Sequence, residues 1–173
     1  MEKKRILLDN NTIDLVCENF EFFKSIKDKY SFFICASTLE EFANMNVPDF
    51  KKLKSDIMTT REIAVELCEN RHNKFVKNLI LLVSLEPTFL LDSVCIPDYS
   101  RFDCCRLGDG KVYNIIRKYS GVGIRDAILA DTAVASNCTL LLAGDTRLYN
   151  AMIDSHLPVM NFNELKKEIE RSN

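Results

Sequence analysis

No segment of this chain is apolar for long enough to cross a bilayer, which takes about 20 apolar residues in a helix. The run Leu79–Leu85 is far shorter. At the N-terminus, MEKKRILLD has a basic start but only Ile6, Leu7 and Leu8 before the acid Asp9, too little for a signal-peptide core. The chain is expected to be soluble and cytoplasmic, with no membrane partner. A basic excess is also missing. The formal net charge of −2 excludes a protein that coats nucleic acid through massed Lys and Arg. It leaves room for a nuclease, whose cation-binding acids make the site itself acidic while a local basic patch meets the substrate. Zinc spacing is absent as well: the seven cysteines form no CxxC pair, and neither His72 nor His156 has an acid or Cys at ligand spacing. The cysteines, Cys104 and Cys105 included, read as reduced residues of the protein interior. There is no internal repeat and no low-complexity tract, so the 173 residues are expected to form a single domain.

What is present is an alternation of short apolar runs with helical patterns. Arg5–Leu8 reads as a buried strand, and Asn10, Asn11 and Thr12 offer cap chemistry for a helix with Ile13, Val16, Phe20 and Phe23 on one face. Ser31–Cys35 is a second strand, followed by a helix capped at Ser37 or Thr38 that carries Glu40, Glu41, Phe42 and Met45. Pro48 opens a helix with Phe50, Leu53, Ile57, Ala64 and Leu67 on one face, and a further helix ends before Pro87. From Pro87 to Gly110 the sequence reads as loops with room for a short extra strand, before a helix over Lys111–Tyr119. An Ala-rich helix beginning at Asp126, the strand Thr139–Leu142, a helix from Leu148, the strand Val159–Met160 and a last helix capped by Asn163 complete the chain. This pattern predicts an α/β fold with a central parallel sheet.

Asp9, Glu41, Asp126 and Asp145 each fall at a predicted strand end or helix start, on the side where parallel strands finish. Open parallel sheets bind ligands at that edge. Four carboxylates gathered there repel one another unless a cation lies among them, and hard oxygen donors suit Mg²⁺ or Mn²⁺. Taken singly, each acid is equally well read as a helix cap, a dipole partner or a turn residue.

The segments ILLDNNTIDLV, STLEEF, DAILADTA, TLLLAGD and LPVMNFNEL, in this order, resemble the PIN-domain nucleases, which include the VapC-type toxins of toxin–antitoxin pairs. The resemblance covers roughly residues 5–45 and 120–170 and leaves a helical middle region, about 48–110, unmatched. It implies a three-layer α/β/α fold and a metal-dependent endoribonuclease in which Asp9, Glu41, Asp126 and Asp145 are both the catalytic set and the Mg²⁺ or Mn²⁺ ligands. Asn11, third in the Asp9-Asn10-Asn11 opening, is then a supporting hydrogen-bonder. RNA is the implied substrate, with an antitoxin protein and a second copy of the chain as implied partners.

Three positions depart from the family pattern. Asp131 stands where Ala is common, Ala143 replaces a hydroxyl residue, and Arg147 replaces an acid. Asp131 is turned roughly 140° from Asp126 on an ideal helix, so it reads as a candidate outer-shell group. Arg147, beside Asp145, is a candidate phosphate contact. Two rivals remain: a catalytically inactive PIN-fold binding module, and a phosphatase of haloacid-dehalogenase type suggested by ILLDNNT and AGDTRLYN. The latter would lack its general acid, because Asn11 stands in that place.

Overall fold

The computed structural model of the chain describes residues 2–46, 74, 76–97, 99 and 104–171. Five strands, β1 (Lys4–Leu8), β2 (Tyr30–Cys35), β3 (Thr88–Leu90), β4 (Thr139–Leu142) and β5 (Val159–Asn161), form one sheet in the order β3-β2-β1-β4-β5. Every pairing is parallel, with Leu7 opposite Phe33, Leu8 opposite Leu141, Cys35 opposite Leu90 and Leu142 opposite Asn161. The chain winds outward from β1 in one direction through β2 and β3, then in the other through β4 and β5. The crevice between β1 and β4 is therefore the topological switch point of the sheet.

Helices cover both faces, as the uninterrupted apolar strands require. On one face Leu7, Phe33, Leu140 and Leu142 pack against α5 (Lys111–Ile116), α6 (Ile124–Ala135) and α7 (Thr146–Asp154) through Ile116, Ala127, Ala130, Leu148 and Met152. On the other, Ile6, Leu8, Phe32, Ile34 and Leu141 meet α1 (Asn10–Glu18), α2 (Phe20–Ser25), a helix over 76–84 (α4) and α8 (Phe162–Arg171) through Val16, Phe23, Leu82 and Leu165. Phe42 of α3 (Ala36–Asn46) joins this second layer. Each fully buried Leu in these layers is worth about 2 kcal/mol. Among the described residues no helix is long and apolar enough to cross a membrane.

The structure revises several boundaries. The expected single helix after Asp9 breaks at Asn19, whose side-chain amide bonds back to the Leu15 carbonyl at 2.9 Å and takes up a helix-end acceptor. Asp9, rather than Asn10, Asn11 or Thr12, is the cap residue of α1. Asn161, not Asn163, caps the last helix: its side chain accepts from the Glu164 amide at 3.0 Å while Glu164 accepts from the Asn161 amide at 2.8 Å. Cys95 and Cys105 form a disulfide rather than staying reduced. The loop geometry brings them together, since the Asp92 amide donates to the Cys104 carbonyl, the Arg106 amide donates to the Asp92 carbonyl and the Gly108 amide donates to the Ser93 carbonyl. The expected helix from Pro48 to Leu67 lies outside the described residues, as does His72.

Candidate active site

Asp9 follows the last residue of β1, at the switch point, and its extended backbone turns the chain into α1. Two buried hydroxyls hold its surroundings. Thr12 donates to the Leu141 carbonyl of β4 at 2.7 Å, and Thr38 of α3 donates to the Leu8 carbonyl of β1 at 3.4 Å. These bonds tie the first turns of α1 and α3 to the strands beside them, which fixes where Asp9 and Glu41 emerge. The start of α3 is held from its other side by the buried Asp92, which accepts from the Ser37 amide at 3.1 Å and from its hydroxyl at 3.0 Å.

Asp126 stands in the first turn of α6, where its Oδ2 accepts from the Gly123 amide at 2.8 Å. A Cβ at position 123 would lie 2.9 Å from that oxygen, so glycine is what lets the carboxylate fold back this closely. Asp145 caps α7, its Oδ1 accepting from the amides of Arg147 and Leu148, both at 3.0 Å. The cap reading of these acids is thus correct, and it is incomplete. Each cap uses one carboxylate oxygen, and Oδ1 of Asp126 and Oδ2 of Asp145 carry no hydrogen bond among the described residues. Asp126, Asp145 and Asn11 line one open groove of about 480 Å³ with Gly121, Gly144 and Arg147.

Electrostatics joins the N-terminal acids to this group. Burial pushes the Asp9 carboxyl up to about 6; the Asn10 and Asn11 amides pull it partly back, and the charges of Glu41 and Asp126 push it further. Glu41 is raised too, first by burial, with Arg125 opposing and Asp126 adding to the rise. Asp9, Glu41 and Asp126 therefore feel one another, and Asp126 is the member shared with the groove that holds Asp145. Among the described residues, no three His, Cys, Asp or Glu side chains stand close enough to form a ready coordination sphere. In kind, the donors fit a hard divalent cation: all are carboxylate oxygens, and two are left uncommitted beside the groove.

Asp131 is placed differently from the other acids. It is buried within α6, with Oδ2 accepting from the Ser93 hydroxyl at 2.5 Å and Oδ1 from the Tyr113 amide at 2.9 Å. Both oxygens thus anchor the 92–93 loop and α5 to α6. A larger groove, about 610 Å³, opens at the opposite edge of the sheet beside Lys3, Lys4 and Arg5. Its cations are engaged, Lys3 with the Lys27 carbonyl, Lys4 with Glu168 and Arg5 over the Phe33 ring, and it holds none of the four acids.

Sequence reasoning did not single out Thr12, Thr38, Ser37 or Asp92 as supports of the site. The hydroxyls had a visible signal, Ser and Thr just after a strand, but that signal points to helix caps and not to bonds across the sheet.

These features define an α/β protein with an all-parallel five-stranded sheet between helical layers, Asp9 following its central strand and Asp126 and Asp145 lining one groove. The same fold is found in the crystal structure of PAE2754 from Pyrobaculum aerophilum, which superimposes with a TM-score of 0.57 over 98% of this chain and 99% of that chain, at 13% identity. No family model matches the chain, and no curated protein matches it.

Proposed function

We propose that the chain is a Mg²⁺- or Mn²⁺-dependent endoribonuclease of PIN-domain type. One observation carries the reading: Asp126 and Asp145, from separate segments, each keep an uncommitted oxygen beside the same open groove, and the charge of Asp126 is felt by Asp9 and Glu41. Caps alone do not require such convergence. Asp9, Glu41, Asp126 and Asp145 would hold the cation, which when bound supplies an activated water and a counter-charge for the leaving oxygen.

The chain's own residues prepare the site. Asp9 must lose its proton to serve as a donor, and its raised pKa means that a neighbouring positive charge favours that loss. Arg125 offsets part of the repulsion at Glu41. Asn11 presents an uncharged polar group to the groove, suited to a hydrogen bond with substrate or bound water.

The test is cleavage of single-stranded RNA with added Mn²⁺ by the wild-type chain, Asp9→Asn and Asp126→Asn. Each substitution is expected to remove at least a hundredfold of the rate. Full activity in either variant rejects the site, and no cleavage by the wild-type chain with either metal rejects the reading.

A further inference from the structure

Arg147 is the second residue of α7, and its amide is pinned by the Asp145 cap, so its side chain leaves the helix from a fixed point. The stem and head then run across Gly121 in the turn before α6. A Cβ at position 121 would come within 3.1 Å of Cδ, 3.4 Å of Nε and 3.3 Å of Nη1 of this arginine. Gly121 has φ +79°, a left-handed backbone that glycine adopts freely and other residues resist. The turn therefore offers a bare platform on which the guanidinium lies at the groove.

Among the described residues that guanidinium has no partner. Although Asp126 and Asp145 line the same groove, it makes no hydrogen bond or ion pair among the described residues. Arg125 contrasts with it, because its charge is felt by Glu41. An arginine stationed among acids, yet paired with none, is arranged for an anion that arrives from outside. The planar fork of guanidinium donors matches phosphate oxygens.

We infer that Arg147, seated on Gly121, grips a backbone phosphate of the RNA strand as it enters the groove. The inference rests on the ribonuclease reading for the identity of the strand, and adds the residue that anchors it. Lysine in this place would keep the charge and lose the fork. A side chain at position 121 would displace the guanidinium while leaving its charge intact.

Binding of a fluorescein-labelled single-stranded oligoribonucleotide, followed by anisotropy in Ca²⁺ buffer over a range of salt, tests this. Arg147→Ala is expected to bind roughly tenfold more weakly, with a salt slope shallower by about 0.7, the share of one single-strand phosphate contact. Arg147→Lys should keep the slope and recover part of the affinity. Gly121→Ala should weaken binding while melting as a folded protein. Wild-type affinity and slope in Arg147→Ala overturn the inference, as does weaker binding with an unchanged slope. RNA binding that depends on Arg147 without any cleavage in Mn²⁺ upholds the anchor and overturns only hydrolysis. Absence of RNA binding by the wild-type chain overturns both.

Discussion

The Thr12 hydroxyl reaches across the switch point to the Leu141 carbonyl at 2.7 Å, joining the helix that follows Asp9 to the strand that leads to Asp145. It is a direct hydrogen bond between the two halves of the acidic set. Thr12→Val keeps the shape and deletes the donor. Urea unfolding should show a loss of about 1–2 kcal/mol, and RNA cleavage should fall with it because Asp9 and Asp145 lose their common tether. An unchanged unfolding midpoint would mean that water replaces the bond at no cost.

Asp9 gives the set a pH signature. Its carboxyl is raised from 3.8 to about 6, so the folded chain keeps this proton at pH values where the unfolded chain has lost it. Stability therefore falls as pH rises through the window from about 4 to about 6, and above it the penalty is complete, about 2–3 kcal/mol. Asp9→Asn removes the penalty. In EDTA the variant should be more stable than wild type near pH 7.5, with the gap closing toward about pH 4. A gap of equal size at both ends would show that Asp9 is not the titrating group. Cleavage by the wild-type chain should decline as pH falls through about 6, where the folded Asp9 takes up its proton.

Asp145 has two duties that substitution can separate. Asparagine keeps the Oδ1 acceptor for the Arg147 and Leu148 amides, so Asp145→Asn should unfold within about 0.5 kcal/mol of wild type, while Asp145→Ala loses about 1 kcal/mol with the cap. Both should be inactive on RNA. Activity in the asparagine variant would restrict Asp145 to capping.

Asp131 is expected to behave as a brace. Asp131→Ala strands the Tyr113 amide, leaves the Ser93 hydroxyl only its 3.2 Å contact with the Thr132 hydroxyl, and should cost about 2–3 kcal/mol. Mn²⁺ affinity at a temperature where the variant is folded should match wild type. A clear loss of affinity would return Asp131 to the outer shell of the metal site.

The Cys95–Cys105 disulfide closes a short loop, with a sequence separation of 10. A link over such a span is worth about 2–3 kcal/mol through the unfolded chain. Cys95→Ser, or a reducing agent, should lower the melting temperature, and reducing agent should then have no further effect on the variant. Asp92 and Ser93, which brace α3 and α6, lie just before this loop and bond to its far side and beyond at Cys104, Arg106 and Gly108, so loosening it should also slow cleavage.

The parts of the molecule that were legible in advance are those with a strong period or a repeated sign. Ile6, Leu7 and Leu8, or Thr139–Leu142, are apolar without alternation, as strands buried on both faces must be, and the helices between them forced a parallel sheet. Asp9 and Asp145 could be placed at strand ends because each follows such a run, and Glu41 and Asp126 near helix starts. Beyond that, linear sequence has little to say. Nothing local marks Thr12 as a partner for Leu141, or Asp92 for Ser37, since those bonds cross gaps of 129 and 55 residues. Asn19 breaks a helix whose apolar spacing continues through Phe20 and Phe23, a case of a side-chain bond overriding periodicity. The disulfide was hidden for a similar reason: a spacing of ten residues implies no closeness until the 92–108 backbone folds back on itself.

The order of strands also sets a timetable. β1 lies in the middle of the sheet, yet its neighbour on one side, β4, follows it only after the whole of the intervening chain. During synthesis Asp9 and Glu41 emerge long before Asp126 and Asp145, and β1 has one bare edge until residues 139–142 leave the ribosome. Whatever the acids accomplish together is withheld from the growing chain and begins only once β4 slots in. A break in the middle region would leave Asp9 and Glu41 on one piece and Asp126 and Asp145 on the other.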